Sequence, residues 1–213
     1  MPAIAARPKA HRLGPASNGV RLTPKEFDRA ADYEEGWRYE LINGVLVVSP
    51  VPEDAEVSPN EELGRILRNY REDHPQGGAL DDTMPERIVR IGDDRRRPDR
   101  VIWTGLGRMP RKGESPRIIA EFVSRRRRDY IRDYEEKLEE YFQIPIEEYW
   151  IIDRFRRTLT VFYRSAGKVK KKVVKEGQVY RTNLLPGFEL PLARLLKVAD
   201  RYGDRDDDKD DDH

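Results

Sequence analysis

Apolar residues repeat along the chain at two different periods, and the changes between them mark out the elements. Thr23-Pro24-Lys25-Glu26 has a capping residue, Pro at the first helical position and Glu three residues after the cap, which predicts a short helix to about Asp32. Trp37–Ile42 and Val45–Ser49 are rich in aromatic and β-branched residues and flank Asn43-Gly44, the signature of a tight hairpin. A loop is expected from Ser49 to Pro59. Leu63, Ile66, Leu67 and Tyr70 then fall at helical spacing, predicting a helix from Asn60 to about Tyr70. Two extended stretches, Met84–Ile91 and Asp99–Trp103, are separated by an expected turn at Gly92-Asp93-Asp94-Arg95. Ile118–Val123 is almost continuously apolar, as in an inner strand covered on both faces, and Tyr149–Ile152 reads the same way. Between them, Tyr130, Tyr134, Leu138 and Tyr141 form one stripe of a helix over Tyr130–Phe142. Further strands are expected at Thr158–Tyr163, Val169–Val174 and near Val179, with a closing helix over Pro191–Val198. Strands interleaved with helices define a mixed α/β fold, with a central mixed sheet in which Ile118–Val123 and Tyr149–Ile152 are inner strands.

Composition changes this picture only at the ends. Of 213 residues, 38% are charged and 37% hydrophobic, yet 10 Tyr, 6 Phe and 3 Trp are available to pack a core. Residues 1–21 lack periodicity and are expected to be a flexible arm; residues 22–199 form the folded domain, and residues 200–213, with a net charge of −5, an acidic disordered tail. The remaining chain carries +6, concentrated between residues 117 and 175, where a basic surplus either forms a solvated face or attracts phosphate. With no Cys, a disulfide scaffold, a thiolate zinc site and a thiol nucleophile are excluded. The chain shows neither an apolar run of about 18 residues nor a signal-type N-terminus, which leads to the expectation of a soluble cytoplasmic protein without membrane partners.

Nucleophile and phosphate-loop motifs are absent, and the three His fall in expected tails or loops. What remains is a set of charges in costly places. Glu121 interrupts the apolar run Ile118–Val123, so it needs a cation, a metal or a raised pKa. Asp99 opens the strand that follows Pro98, and alternation places it on the face of Val101 and Trp103. Two acids on adjacent strands make either a hard-oxygen site for Mg²⁺ or Mn²⁺ or a pair of arginine salt bridges. Lys137 lies on the apolar stripe of its helix, and it either snorkels to solvent or pairs with a buried acid such as Glu121. Glu40 reads most simply as a solvent-facing strand residue, and otherwise as a fourth member of the cluster.

Five segments in order, Tyr39-Glu40-Leu41-Ile42-Asn43-Gly44, Arg97-Pro98-Asp99, Ala120-Glu121-Phe122-Val123-Ser124, Asp133–Tyr141 and Glu148-Tyr149-Trp150-Ile151-Ile152-Asp153, resemble the Uma-type restriction endonuclease family, a bacterial group in the PD-(D/E)XK nuclease superfamily. The likeness runs from about Leu22 to about Leu196. It implies a restriction-endonuclease-like core with an N-terminal hairpin and additional C-terminal strands. It also implies that Asp99 and Glu121 are the metal ligands and that a lysine completes the site. The superfamily's usual lysine position, two residues after the second acid, is Val123 here; the family-like alternative from the next helix is Lys137. Two more departures are the basic run Arg125–Arg128 in place of a Pro- and Ser-containing turn, and Ser58-Pro59-Asn60-Glu61 where the family pattern suggests a histidine.

The expected activity is therefore that of a Mg²⁺- or Mn²⁺-dependent endodeoxyribonuclease hydrolysing phosphodiesters. Asp99, Glu121 and a carbonyl near Phe122 would hold the metal, Lys137 would orient water, and Glu40 would serve as an auxiliary ligand. Arg95, Arg96, Arg97, Arg125, Arg126, Arg127 and Arg128 would grip the phosphates of nucleic acid, with DNA the expected partner and a homodimer left open. Two other classes compete: a nuclease-fold module that binds nucleic acid or protein without cutting, and a glycoside hydrolase built on a carboxylate pair, which would leave Lys137 and the arginines unexplained.

Overall fold

In the computed structural model, residues 12–124 and 132–203 are described. The chain forms two units, the first from residues up to Val51 with Gly92–Arg97, the second from Pro52–Ile91 with the residues from Pro98 onward.

In the first unit, Thr23 Oγ1 accepts the Glu26 N–H at 3.2 Å while the Glu26 carboxylate accepts the Thr23 N–H at 2.8 Å. This reciprocal cap starts α1 (Pro24–Arg29) where the sequence places it. Strands β1 (Trp37–Ile42) and β2 (Val45–Pro50) pair in register through Ile42↔Val45. Their turn takes φ of 51° at Asn43 and 73° at Gly44, the left-handed pair that matches strand twist. The expected turn is present at Gly92-Asp93, with Gly92 at φ 55°, but it is shorter than Gly92–Arg95: Asp94–Arg96 form a short strand, β5, because the free edge of β1 takes Arg95 opposite Leu41 and Asp94 Oδ1 accepts the Asn43 N–H at 2.7 Å. From Arg12 the expected arm is tied down: Leu13 bridges to Tyr33, Arg21 bridges to Val45, and the Gly19 N–H donates to Leu46 O at 2.8 Å.

The second unit begins with α2 (Asp54–Asp73), two turns longer than the sequence suggests. Ser58-Pro59 reads as a loop, but Ala55 and Pro59 extend the buried stripe of Leu63, Leu67 and Tyr70 backward at helical spacing, and their burial offsets the roughly 3 kcal/mol that an interior Pro costs. The extended stretch before Ile91 is split into β3 (Leu80–Pro85) and β4 (Val89–Ile91), with Glu86 turning the chain at φ 53°. The main sheet also contains β6 (Arg100–Thr104), β7 (Ile118–Phe122), β8 (Glu148–Asp153), β9 (Thr158–Ser165) and β10 (Lys168–Lys175), in the order β10-β9-β8-β7-β6-β3. As expected, β7 and β8 are central, and they run parallel, whereas the other pairs are antiparallel.

Alternation along these strands separates two cores. Ile102, Ile118, Ala120, Phe122, Trp150 and Ile152 face α2 and the closing helix α4 (Leu192–Gly203). Val101, Trp103, Ile119, Val123, Tyr149 and Ile151 face the other way, toward Tyr141 and Ile146 of the β7–β8 crossover. In that crossover a π-helical turn, Arg132–Glu136, runs directly into α3 (Lys137–Tyr141). The two-residue strands β11 (Val179–Tyr180) and β12 (Leu190–Pro191) pair apart from the main sheet.

The loop after β6 is clipped by Glu114, which accepts two guanidinium N–H groups of Arg108 at 2.8 and 2.7 Å and the Arg111 N–H at 2.7 Å. These bonds hold its carboxyl down to about 2. A carboxylate whose pKa falls on folding adds stability above its unfolded value of 4.5, and that contribution drains as pH drops toward 2. Urea midpoints taken from pH 6 to pH 2.5 should therefore decline less steeply for Glu114→Gln than for the parent; parallel declines would refute the clip.

Candidate metal and catalytic centre

The register Arg100↔Ala120 places Asp99, the residue before β6, directly across from Glu121 in β7. Both acids are buried, and strand parity puts them on the face of Val101, Trp103 and Ile119. Like charges directly opposite one another on a sheet repel, so the pair needs neighbours that supply positive charge or N–H groups. The backbone supplies two of these. The Phe122 N–H donates to Asp99 Oδ2 at 2.8 Å, and the Asp99 N–H donates to Glu121 Oε2 at 3.3 Å.

The crossover supplies the charge. Lys137 Nζ lies 2.9 Å from Glu121 Oε1, with the two side chains 5% and 2% exposed. This burial decides between the two possibilities for Lys137: it pairs and does not snorkel. One helical turn later, Tyr141 donates its hydroxyl to the same Oε1 at 2.7 Å. Tyr141 is legible in the sequence only as a core aromatic; its spacing of four residues from Lys137 is the available signal.

Behind Asp99 sits a group that sequence reasoning misses. Arg100 is fully buried on the opposite face, where its Nε donates to Asn60 Oδ1 at 2.7 Å, its terminal nitrogens to Asn60 O at 2.8 Å and Thr83 Oγ1 at 3.3 Å, and Glu61 lies 3.4 Å away. Burial pulls the guanidinium down to about 10, so it remains a cation at neutral pH. Gly64 makes the room: a Cβ there would stand 2.7 Å from the guanidinium nitrogens. Asn60 in turn donates its Nδ2–H to Asp99 O at 2.8 Å, connecting α2 to the backbone of the acid. Asn60 lies in the segment where the family pattern suggests a histidine. An arginine inside an otherwise apolar strand is the same kind of signal as Glu121.

The remaining expected residues have other placements. Glu40 is buried rather than solvent-facing; its Oε1 accepts the Arg97 N–H at 2.8 Å and its Oε2 lies 3.9 Å from Arg96. Arg95 and Arg96 are 6% and 1% exposed, and Arg95 forms a two-pronged pair with Asp28 at 2.8 and 3.0 Å. These two are corrected from phosphate-gripping groups to internal supports, because a guanidinium buried against a carboxylate has no surface to offer a phosphate. Arg38 donates to Arg97 O, so the run leading into Pro98-Asp99 is held by its backbone. Arg125, Arg126, Arg127 and Arg128 lie outside the described residues.

Among the described residues no group of three or more His, Cys, Asp or Glu forms a metal cage. The donor set that does converge, two hard carboxylates backed by a lysine, fits Mg²⁺ or Mn²⁺, which need one or two protein carboxylates and complete their shells with water and substrate phosphate. No described helix is long and apolar enough to cross a membrane.

The sheet thus presents paired acids from neighbouring strands, with a lysine from the crossover between its parallel pair. The chain belongs to the Uma2 family, described as "Putative restriction endonuclease", which it matches over residues 24–193. Among solved structures it is similar to a "putative nuclease" from Anabaena variabilis, with a TM-score of 0.65 at 15% sequence identity, covering 84% of this chain and 99% of that one. Comparison with curated proteins gives no match.

Proposed function

We propose that the protein hydrolyses nucleic-acid phosphodiester bonds, with DNA as substrate and Mg²⁺ or Mn²⁺ as the cation held by Asp99 and Glu121. The observation that supports this is the buried convergence of Asp99, Glu121 and Lys137 from three separate elements. Burying three charges costs several kcal/mol each unless they compensate one another, which a purely structural core has no need to do. A divalent cation bound there lowers the pKa of an attacking water and offsets charge on the phosphate.

The chain's own groups prepare that step. The Phe122 N–H fixes the Asp99 carboxylate, and Tyr141 and Lys137 fix Glu121, so neither acid has to reorganise when substrate arrives. Lys137 also carries three N–H donors on a positive centre, able to orient a water and to stabilise negative charge developing on the phosphate. Glu40 accepts the Arg97 N–H within the first unit and serves there as a positioning residue.

One observation favours a second reading. Glu121 is already compensated by Lys137 and Tyr141, as it would be in a nuclease-fold module that binds without cutting. The two readings part in an assay on supercoiled plasmid, linear duplex and single-stranded DNA with Mg²⁺, Mn²⁺, Ca²⁺ or EDTA. The nuclease reading expects cutting with Mg²⁺ or Mn²⁺, none with EDTA, and retained binding with Ca²⁺. Binding with no cutting under any cation would overturn it in favour of the module.

A further inference from the structure

The basic surplus of the middle of the chain has a second home, at the outer edge of the main sheet. Strand β10 reads Lys-Val-Lys-Lys-Lys-Val-Val-Lys, pairs among the described residues with β9 alone, and leaves every residue except Val174 exposed. None of Lys168, Lys170, Lys171, Lys172 and Lys175 forms an ion pair with the described residues. Lys168, Lys170 and Lys172 share one face, because Val174, four and two residues from Lys170 and Lys172, enters the core packed against α2 and α4. Their spacing along a strand is about 6.7 Å per pair, close to the repeat of phosphates along an extended nucleic-acid strand.

The same face carries rings. The register sets Lys170 opposite Tyr163 and Lys168 opposite Ser165, and Lys172 Nζ lies 5.5 Å from the centroid of Tyr180. Tyr163, Lys172 and Tyr180 line a cleft of about 430 Å³ that continues to Arg181, Thr182 and Asn183. Its floor is built: Glu148 is buried and accepts the Trp150 Nε1–H at 2.7 Å, the Tyr180 hydroxyl at 2.9 Å and the Thr182 hydroxyl at 2.6 Å. This network fixes Tyr180 and the strand beneath it. The cleft is separate from the acid cluster, since Glu148 pairs with Ile118 at the far end of β7 from Glu121 and faces the other core.

We propose that this edge binds a single-stranded nucleic-acid segment, Lys168, Lys170 and Lys172 following its phosphates while Tyr163 stacks a base. A cationic row beside aromatic faces is the arrangement that single strands need and duplexes do not, because only an unpaired base has a free π-face. The proposal rests on the nucleic-acid-directed reading above, adding a second binding region to it. Lysines on a sheet edge also guard against strand-to-strand aggregation, and that role alone is the competing explanation.

The test is anisotropy of a labelled 16-nucleotide single strand and of its duplex, in EDTA so that nothing is cut, across a series of salt concentrations. The K168Q/K170Q/K172Q variant should bind the single strand at least tenfold more weakly at about 0.1 M salt, with its log–log salt slope reduced by about 2, at roughly 0.7 for each phosphate no longer neutralised. K168E/K170E/K172E keeps the edge charged and should bind more weakly still, whereas edge protection alone predicts parental binding. Tyr163→Leu should cost about tenfold on the single strand and little on the duplex. The charge-matched K112Q/K197Q/R201Q variant should bind as the parent does. Parental affinity and slope in both β10 triples, or equal losses in the charge-matched control, would overturn the proposal. Cleavage by the parent tells the two ideas apart: a parent that cuts, with a β10 variant that binds as the parent does, removes this site and leaves the nuclease, while a parent that binds but never cuts, with a β10 variant that loses binding, removes the nuclease and leaves this site.

Discussion

Asp99→Asn is expected to lower Mg²⁺-dependent cleavage by about 10²-fold or more while leaving the thermal midpoint close to that of the parent. The amide oxygen can still accept the Phe122 N–H that Asp99 Oδ2 accepts at 2.8 Å, so the strand crossing is preserved while the anionic ligand is lost. The magnitude is that of deleting one preorganised electrostatic partner at a reacting centre. Lys137→Ala should lower cleavage comparably but cannot leave the fold untouched, since Glu121, 2% exposed, would lose its cation; about 3 kcal/mol of stability should go with it. Plasmid-cutting rates beside urea denaturation measure both. An Asp99→Asn protein that cuts like the parent removes Asp99 from the mechanism.

Asn60→Ala should cost as much stability as Lys137→Ala. It removes the acceptor of Arg100 Nε and the donor to Asp99 O in one change, leaving a fully buried guanidinium short of a partner. A loss of about 3 kcal/mol is expected, in line with breaking a buried charged hydrogen bond. The double change Asn60→Leu with Arg100→Met replaces the polar group by apolar volume and should recover most of it. Urea unfolding followed by tryptophan fluorescence reads both, and an Asn60→Ala midpoint equal to the parent's would show that Arg100 does not depend on Asn60.

What the sequence discloses follows from how local each signal is. The capped α1, the Asn43-Gly44 hairpin and the inner strands β7 and β8 depend on neighbouring residues or on a run of apolar ones, and they appear where expected. The start of α2 is hidden because Ser58-Pro59 looks like a turn until the core it packs against is known. Arg95 looks like an exposed turn arginine because its partners, Asp28 and the edge of β1, are distant in sequence. Asp99, Glu121 and Lys137 stand out as misplaced charges, but whether Lys137 faces an acid or solvent depends on the winding of the crossover. Asn60 and Arg100 escape notice because their hydrogen-bond partners are distant in sequence.

That winding has a consequence for how the gene can vary. The π-helical turn Arg132–Glu136 holds more residues per turn than an α-helix, and one residue in a helix corresponds to about 100° of rotation. Loss of a single residue there would let the segment rewind as regular α-helix, a local improvement in hydrogen bonding. It would also offset everything after it by about 100° against everything before it, so that Lys137 and Tyr141 leave Glu121 or the path back to β7 is strained. A one-residue deletion in this turn should therefore break the Lys137–Glu121 ion pair while leaving every side chain of the cluster in the sequence.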